Sequence, residues 1–108
     1  MSAADATLVC DVEVTNRAGI HTRVALMIFK TVEPFGGAVS LTRKETGHTA
    51  DCRSVLDLLS LGAAPGDAVT LSITGPDAEM LQQELLMLFE NKFYEEEETE
   101  GYRCEHKI

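Results

Sequence analysis

Tryptophan is absent from this 108-residue chain, proline occurs three times and cysteine three times. Positive charge is also scarce: nine Lys and Arg stand against eighteen Asp and Glu, for a formal net charge of −9. Each shortage excludes something. Cys10, Cys52 and Cys104 are an odd number with no Cys-x-x-Cys spacing, which argues for reduced thiols in a cytosolic protein rather than a disulfide framework. Cys104 and His106 are too few ligands for a metal site. The acidic balance excludes nucleic-acid binding through a broad basic face. No apolar run approaches the roughly 18–20 residues that span a bilayer. Met1–Asp5 has no basic region leading into an apolar stretch, so neither membrane insertion nor a secretory leader is expected. No Gly-x-x-x-x-Gly-Lys-[Ser/Thr] loop occurs, so the chain has no nucleotide-phosphate cradle of that kind, and no cofactor is expected.

What is present suits one domain with a modest core: 44% of residues are hydrophobic and 25% charged, a globular rather than a disordered composition. The charge is uneven. Residues 1–60 hold seven acids and six bases, netting −1; residues 61–108 hold eleven acids and three bases, netting −8. Local positive charge (Arg17, Arg23, Lys30, Arg43, Lys44, Arg53) therefore lies in the first half and suits a partner with an acidic docking face.

The hydrophobic period changes repeatedly along the chain. Leu8–Val14 alternates, with Cys10, Val12 and Val14 on one face, and predicts a strand. From Thr22 the spacing becomes helical, with Val24, Ala25, Ile28, Phe29 and Val32 in one stripe; Pro34 and Gly36-Gly37 end it. Ala38–Thr42 and His48–Cys52 predict a hairpin around the polar turn Arg43–Gly47. Ser54 opens a short helix that Gly62 stops. Pro65-Gly66-Asp67 is a turn, and Ala68–Thr74 is a strand with Val69, Leu71 and Ile73 inward. Gly75-Pro76-Asp77 begins a last helix whose stripe is Ala78, Leu81, Leu85, Leu88 and Phe89. The order βαββαβα implies a small α+β domain, a mainly antiparallel sheet with helices on one face. No repeat and no second domain is evident. The domain is expected over residues 6–92, and the Glu-rich residues 93–108 are expected to form a mobile, solvated extension.

His21 is the most informative residue. It lies between a strand and a helix, just past Gly19 and two residues before Arg23. A helix start offers unpaired N–H groups and the positive dipole end, which suits a histidine that carries a phosphoryl group. Three segments together resemble the HPr family, the histidine-containing phosphocarriers of the bacterial phosphoenolpyruvate-dependent sugar phosphotransferase system. They are Gly19-Ile20-His21-Thr22-Arg23, then Arg53-Ser54-Val55-Leu56-Asp57-Leu58-Leu59-Ser60-Leu61-Gly62, and the stretch from Pro65-Gly66-Asp67 through Gly75-Pro76-Asp77. The likeness covers about Ala6 to Lys92 in the family's element order.

The resemblance implies an open-faced sandwich of four mainly antiparallel strands with three helices on one face. It implies that His21 accepts a phosphoryl group on Nδ1 from phosphorylated enzyme I and passes it to enzyme IIA domains. The chain is then a carrier rather than a stand-alone enzyme, cytoplasmic and monomeric, a phosphoprotein serving sugar transport. Imidazole suits the task because it titrates near neutral pH and is nucleophilic when neutral. Arg23 offsets charge during transfer, and Arg17 and Thr22 are partner contacts. Ser54 has two readings, a helix N-cap and a regulatory site for an HPr kinase/phosphorylase. Val55, Leu56 and Leu59 are either an apolar docking patch beside it or core, and at least one is expected to be core.

One position departs from the family's usual pattern: Val24 stands where proline normally follows the arginine. Valine restores an N–H that proline lacks and frees φ at the helix start. Two further readings stand beside the sugar carrier. One is an HPr paralogue acting as a regulatory binding module, or in a dihydroxyacetone-kinase or nitrogen-related phosphorelay. The other, a metal site of His21, His48 and Cys52, requires residues from separate loops to converge.

Overall fold

The computed structural model describes residues 7–95. The elements are β1 (Thr7–Glu13), α1 (Thr22–Val32), β2 (Ala38–Arg43), β3 (Thr49–Asp51), α2 (Val55–Ser60), β4 (Ala68–Thr74) and α3 (Ala78–Glu90), followed by a single turn at Lys92–Tyr94. The sheet order is β1-β4-β2-β3, and all three pairings are antiparallel.

Register follows from the period of two along each strand. Cys10 faces Leu71 and Val12 faces Val69 across β1 and β4. Val39 faces Ile73 and Leu41 faces Leu71 across β2 and β4, and Leu41 faces Ala50 across β2 and β3. Slipping any strand by one residue would turn these side chains to solvent. The helices close over this face with Val24, Ala25, Ile28 and Val32 from α1, Leu58 from α2, and Ala78, Leu81, Leu85 and Phe89 from α3, all buried. Phe29 and Leu88, expected in those stripes, are half-buried at their margins. The opposite face is mostly polar, with Val9 exposed among its side chains: Thr7 and Thr74 hydroxyls lie 2.8 Å apart, as do those of Thr42 and Thr49, and Asp11 accepts from Lys44 and Thr70.

β3 is shorter than its sequence suggests, Thr49–Asp51 rather than His48–Cys52. His48 sits in the turn, where its ring meets the Ser60 hydroxyl at 3.2 Å. Cys52 still donates its N–H to the Val39 carbonyl at 3.0 Å while its side chain enters the core.

The larger correction concerns the end of the domain. Phe93, assigned by composition to the solvated extension, is fully buried and packs edge-on against Phe89, ring centroids 5.0 Å apart. The Glu run that follows hid an apolar anchor whose burial removes a whole aromatic side chain from water. The packed unit therefore reaches at least Glu95; residues 96–108, including Cys104 and His106, lie outside the described residues.

Candidate functional site

The site begins with the loop that leaves β1. Asn16 is fully buried and its Nδ2 donates to the Gly19 carbonyl at 2.8 Å, while the Gly19 N–H donates to the Asn16 carbonyl at 3.3 Å. Gly19 has φ +71°, and a Cβ there would sit 2.6 Å from the Ala63 carbonyl oxygen; both facts require glycine. Ile20 donates its N–H to that same carbonyl at 3.1 Å and buries its side chain. The backbone is thus fixed on both sides just before His21. Asn16 carries no local motif that marks it in the sequence. Its Oδ1 is buried and, among the described residues, has no hydrogen-bond partner.

His21 is the N-cap of α1, with extended backbone (φ −112°, ψ −171°) and no capping bond from its side chain. Its carbonyl accepts the Ala25 N–H at 2.8 Å, which starts the helix. The ring is therefore not spent on the backbone and is about one-third exposed. Thr22, Arg23 and Val24 follow as the first turn, whose N–H groups have no partner within the helix. No acidic residue occupies that turn, so its positive end is not offset by its own side chains. Arg23 donates to the Phe93 carbonyl at 3.0 Å and lies 3.5 Å from the Met27 sulfur. Val24 is fully buried: the helix starts at Thr22 without proline, and the side chain serves the core.

The closing turn supplies a residue the sequence did not mark. Glu95 Oε2 lies 3.2 Å from His21 Nε2, and Glu95 Oε1 accepts the Ala18 N–H at 3.2 Å. Its side chain is largely buried. Only a fold-level contact 74 residues apart in sequence joins it to His21, so no local motif signals it.

The other expected residues fall into two groups. Arg17 and Thr22 are exposed beside His21. Ser54 caps α2, its Oγ accepting the Asp57 N–H at 3.1 Å. Leu56 is 78% exposed, Val55 and Leu59 are half-buried, and the core member of α2 is Leu58. The structure does not gather the three groups of the metal reading. His48 turns to Ser60, and Cys52 is buried with its thiol pushed up to about 12, chiefly by desolvation and secondarily by the Asp51 charge. Among the described residues no cluster of three His, Cys, Asp or Glu is placed to hold a metal ion, and no helix there is long and apolar enough to cross a membrane.

Fold and site define a class: a small open-faced α+β sandwich that presents one histidine at a helix N-terminus. A family model described as the PTS HPr component phosphorylation site matches residues 9–91, and the chain belongs to this HPr family of phosphotransferase-system phosphocarriers. It is 35% identical to phosphocarrier protein NPr of Escherichia coli K12 over 85 residues, 79% of this chain and 93% of that one. It is 30% identical to phosphocarrier protein HPr of Xylella fastidiosa over 86 residues, 80% and 94% of the two chains. The crystal structure of HPr from Thermoanaerobacter tengcongensis superposes with a TM-score of 0.74 at 28% identity, covering 80% of this chain and 94% of that chain.

Proposed function

We propose that this chain carries a phosphoryl group on His21 Nδ1, receiving it from phosphorylated enzyme I and delivering it to an enzyme IIA domain in the cytoplasm. The observation that carries this reading is the His21 ring at the head of α1, which makes no capping bond to the backbone. A phosphoryl group on that ring meets the first-turn N–H groups and the helix dipole, an anion site that needs no pocket. Arg23 brings a fixed positive charge into the same turn and counters the charge spread over the transferring oxygens. Arg17 and Thr22, exposed beside it, and Leu56 on α2 form the docking rim. His21 and Arg23 come from one chain, so the carrier is proposed to act as a monomer. The phosphocarrier matches favour this reading over a regulatory module with an inert histidine.

Ser54 belongs to the same proposal as a control point. A dianion there would lie at the edge of the Leu56 surface and repel an acidic partner.

The test uses purified protein, enzyme I and labelled phosphoenolpyruvate. The expected result is an acid-labile, base-stable label that is absent from His21→Ala. A label retained in that variant, or none in the parent, sinks the reading.

A further inference from the structure

We infer that Glu95 is a positioning residue for His21: its carboxylate holds the imidazole in the tautomer that leaves Nδ1 as the nucleophile. The inference rests on His21 being the phosphoryl acceptor and adds what prepares it. An ionised carboxylate only accepts hydrogen bonds. With Glu95 Oε2 as the acceptor 3.2 Å away, the neutral His21 ring makes this bond only with its proton on Nε2, which leaves the lone pair on Nδ1. The two nitrogens flank Cε1 and point in widely divergent directions in the ring plane, so the incoming phosphoryl group approaches away from the carboxylate.

Glu95 is itself held in place. Its second oxygen accepts the Ala18 N–H, which ties it to the loop that launches His21. Two residues before it, Phe93 is buried against Phe89 and its carbonyl accepts from Arg23. Lys92, Phe93 and Tyr94 have φ of 53°, 52° and 56°, a left-handed run of three non-glycine residues. Such backbone persists only where its surroundings over-determine it, here by the Phe93 anchor and the bonds to Arg23, Ala18 and His21. Among the described residues the charged group that touches the ring is Glu95 from the closing turn; Arg23 stands two residues on in α1 and exposed Arg17 lies in the preceding loop.

The transfer balances as follows. The Nδ1 lone pair attacks phosphorus on the donor's phosphohistidine; the donor N–P bond breaks and its electron pair returns to the donor ring. His21 keeps its Nε2 proton throughout. The positive charge that develops on its ring as the new N–P bond forms sits against the Glu95 carboxylate, a contact stronger in the transition state than in the ground state.

The experiment has two readouts. In protein carrying ¹⁵N-imidazole, long-range ¹H–¹⁵N correlation at a pH where the ring is neutral reports which nitrogen bears the proton. Wild type is expected to show Nε2–H alone, E95A a mixture of tautomers, and the isosteric E95Q, which keeps an acceptor oxygen, Nε2–H again. Label transfer from enzyme I at saturating donor is expected to fall about threefold to tenfold in E95A, the worth of a half-exposed charge-assisted hydrogen bond. E95Q, with the acceptor but not the charge, should fall between. An unchanged tautomer in E95A, or transfer as fast as or faster than wild type, overturns the positioning role; the faster result would make Glu95 an obstruction. Absence of label from wild type, or its presence in His21→Ala, is a different failure, that of the carrier reading, and leaves the tautomer measurement standing.

Discussion

A half-exposed histidine and a buried cysteine show how differently one fold treats two nucleophiles. His21 is kept off the backbone and open to a partner. Cys52 lies in the core between β3 and α2 with no exposure, and burial pushes its thiol up to about 12 from 9.0, the Asp51 charge adding to the rise and Arg53 opposing it. The thiolate is the reactive form, so Cys52 should resist iodoacetamide at pH 8 in the native protein and react fully in urea, as peptide mass mapping would read. The linkage has a definite sign. The unfolded chain releases the Cys52 proton first, near pH 9.0, so the folded state loses stability between pH 9.0 and about 12;. Cys52→Ala should flatten that part of the stability profile. Rapid native alkylation at Cys52 would contradict the burial.

At the scale of elements, the short helix α2 depends on its cap. Six residues are too few for a helix to stand alone, and Ser54 Oγ satisfies one of its first N–H groups, that of Asp57. Ser54→Ala should cost about 1 kcal/mol, seen as a lower urea midpoint with unchanged m, whether or not a kinase acts there. The proposed regulatory role is read separately: with an HPr kinase and ATP, wild type should gain an acid-stable phosphate and Ser54→Ala none. No incorporation into wild type leaves only the cap. These features were legible in the sequence because caps, periods and the His21–Arg23 motif are local signals. The alternation of β4 (Val69, Leu71, Ile73) and the stripe of α1 needed no partner to be recognised. Asn16 and Glu95 were not legible, for a physical reason. A polar residue at a loop is ordinarily solvated, and only the folded chain shows Asn16 enclosed and Glu95 brought to a ring 74 positions away. Phe93 was hidden differently, as one apolar residue beside a run of glutamates that dominates any composition window.

At the scale of the whole molecule, Phe93 joins the stability of the sandwich to the readiness of the site. Its ring closes the core beside Phe89, its carbonyl receives Arg23, and the residue two places on receives His21 and Ala18. The left-handed turn that makes this possible opposes folding by roughly 1–2 kcal/mol per residue, so the anchor must outweigh it. Removing the ring should then do two things together. Phe93→Ala should lower stability by about 3–5 kcal/mol, a large share of the roughly 5–15 kcal/mol typical of such domains, and the turn should relax toward ordinary backbone once its anchor is gone. The Ala18 amide, bonded to Glu95 in the native fold, should exchange faster with solvent in Phe93→Ala than global unfolding alone accounts for. E95A, which keeps the anchor, should lose that amide's protection with little change in urea midpoint. An unchanged midpoint in Phe93→Ala would mean that the core ends at Lys92 after all, and that the closing turn rests on the sandwich without being part of it.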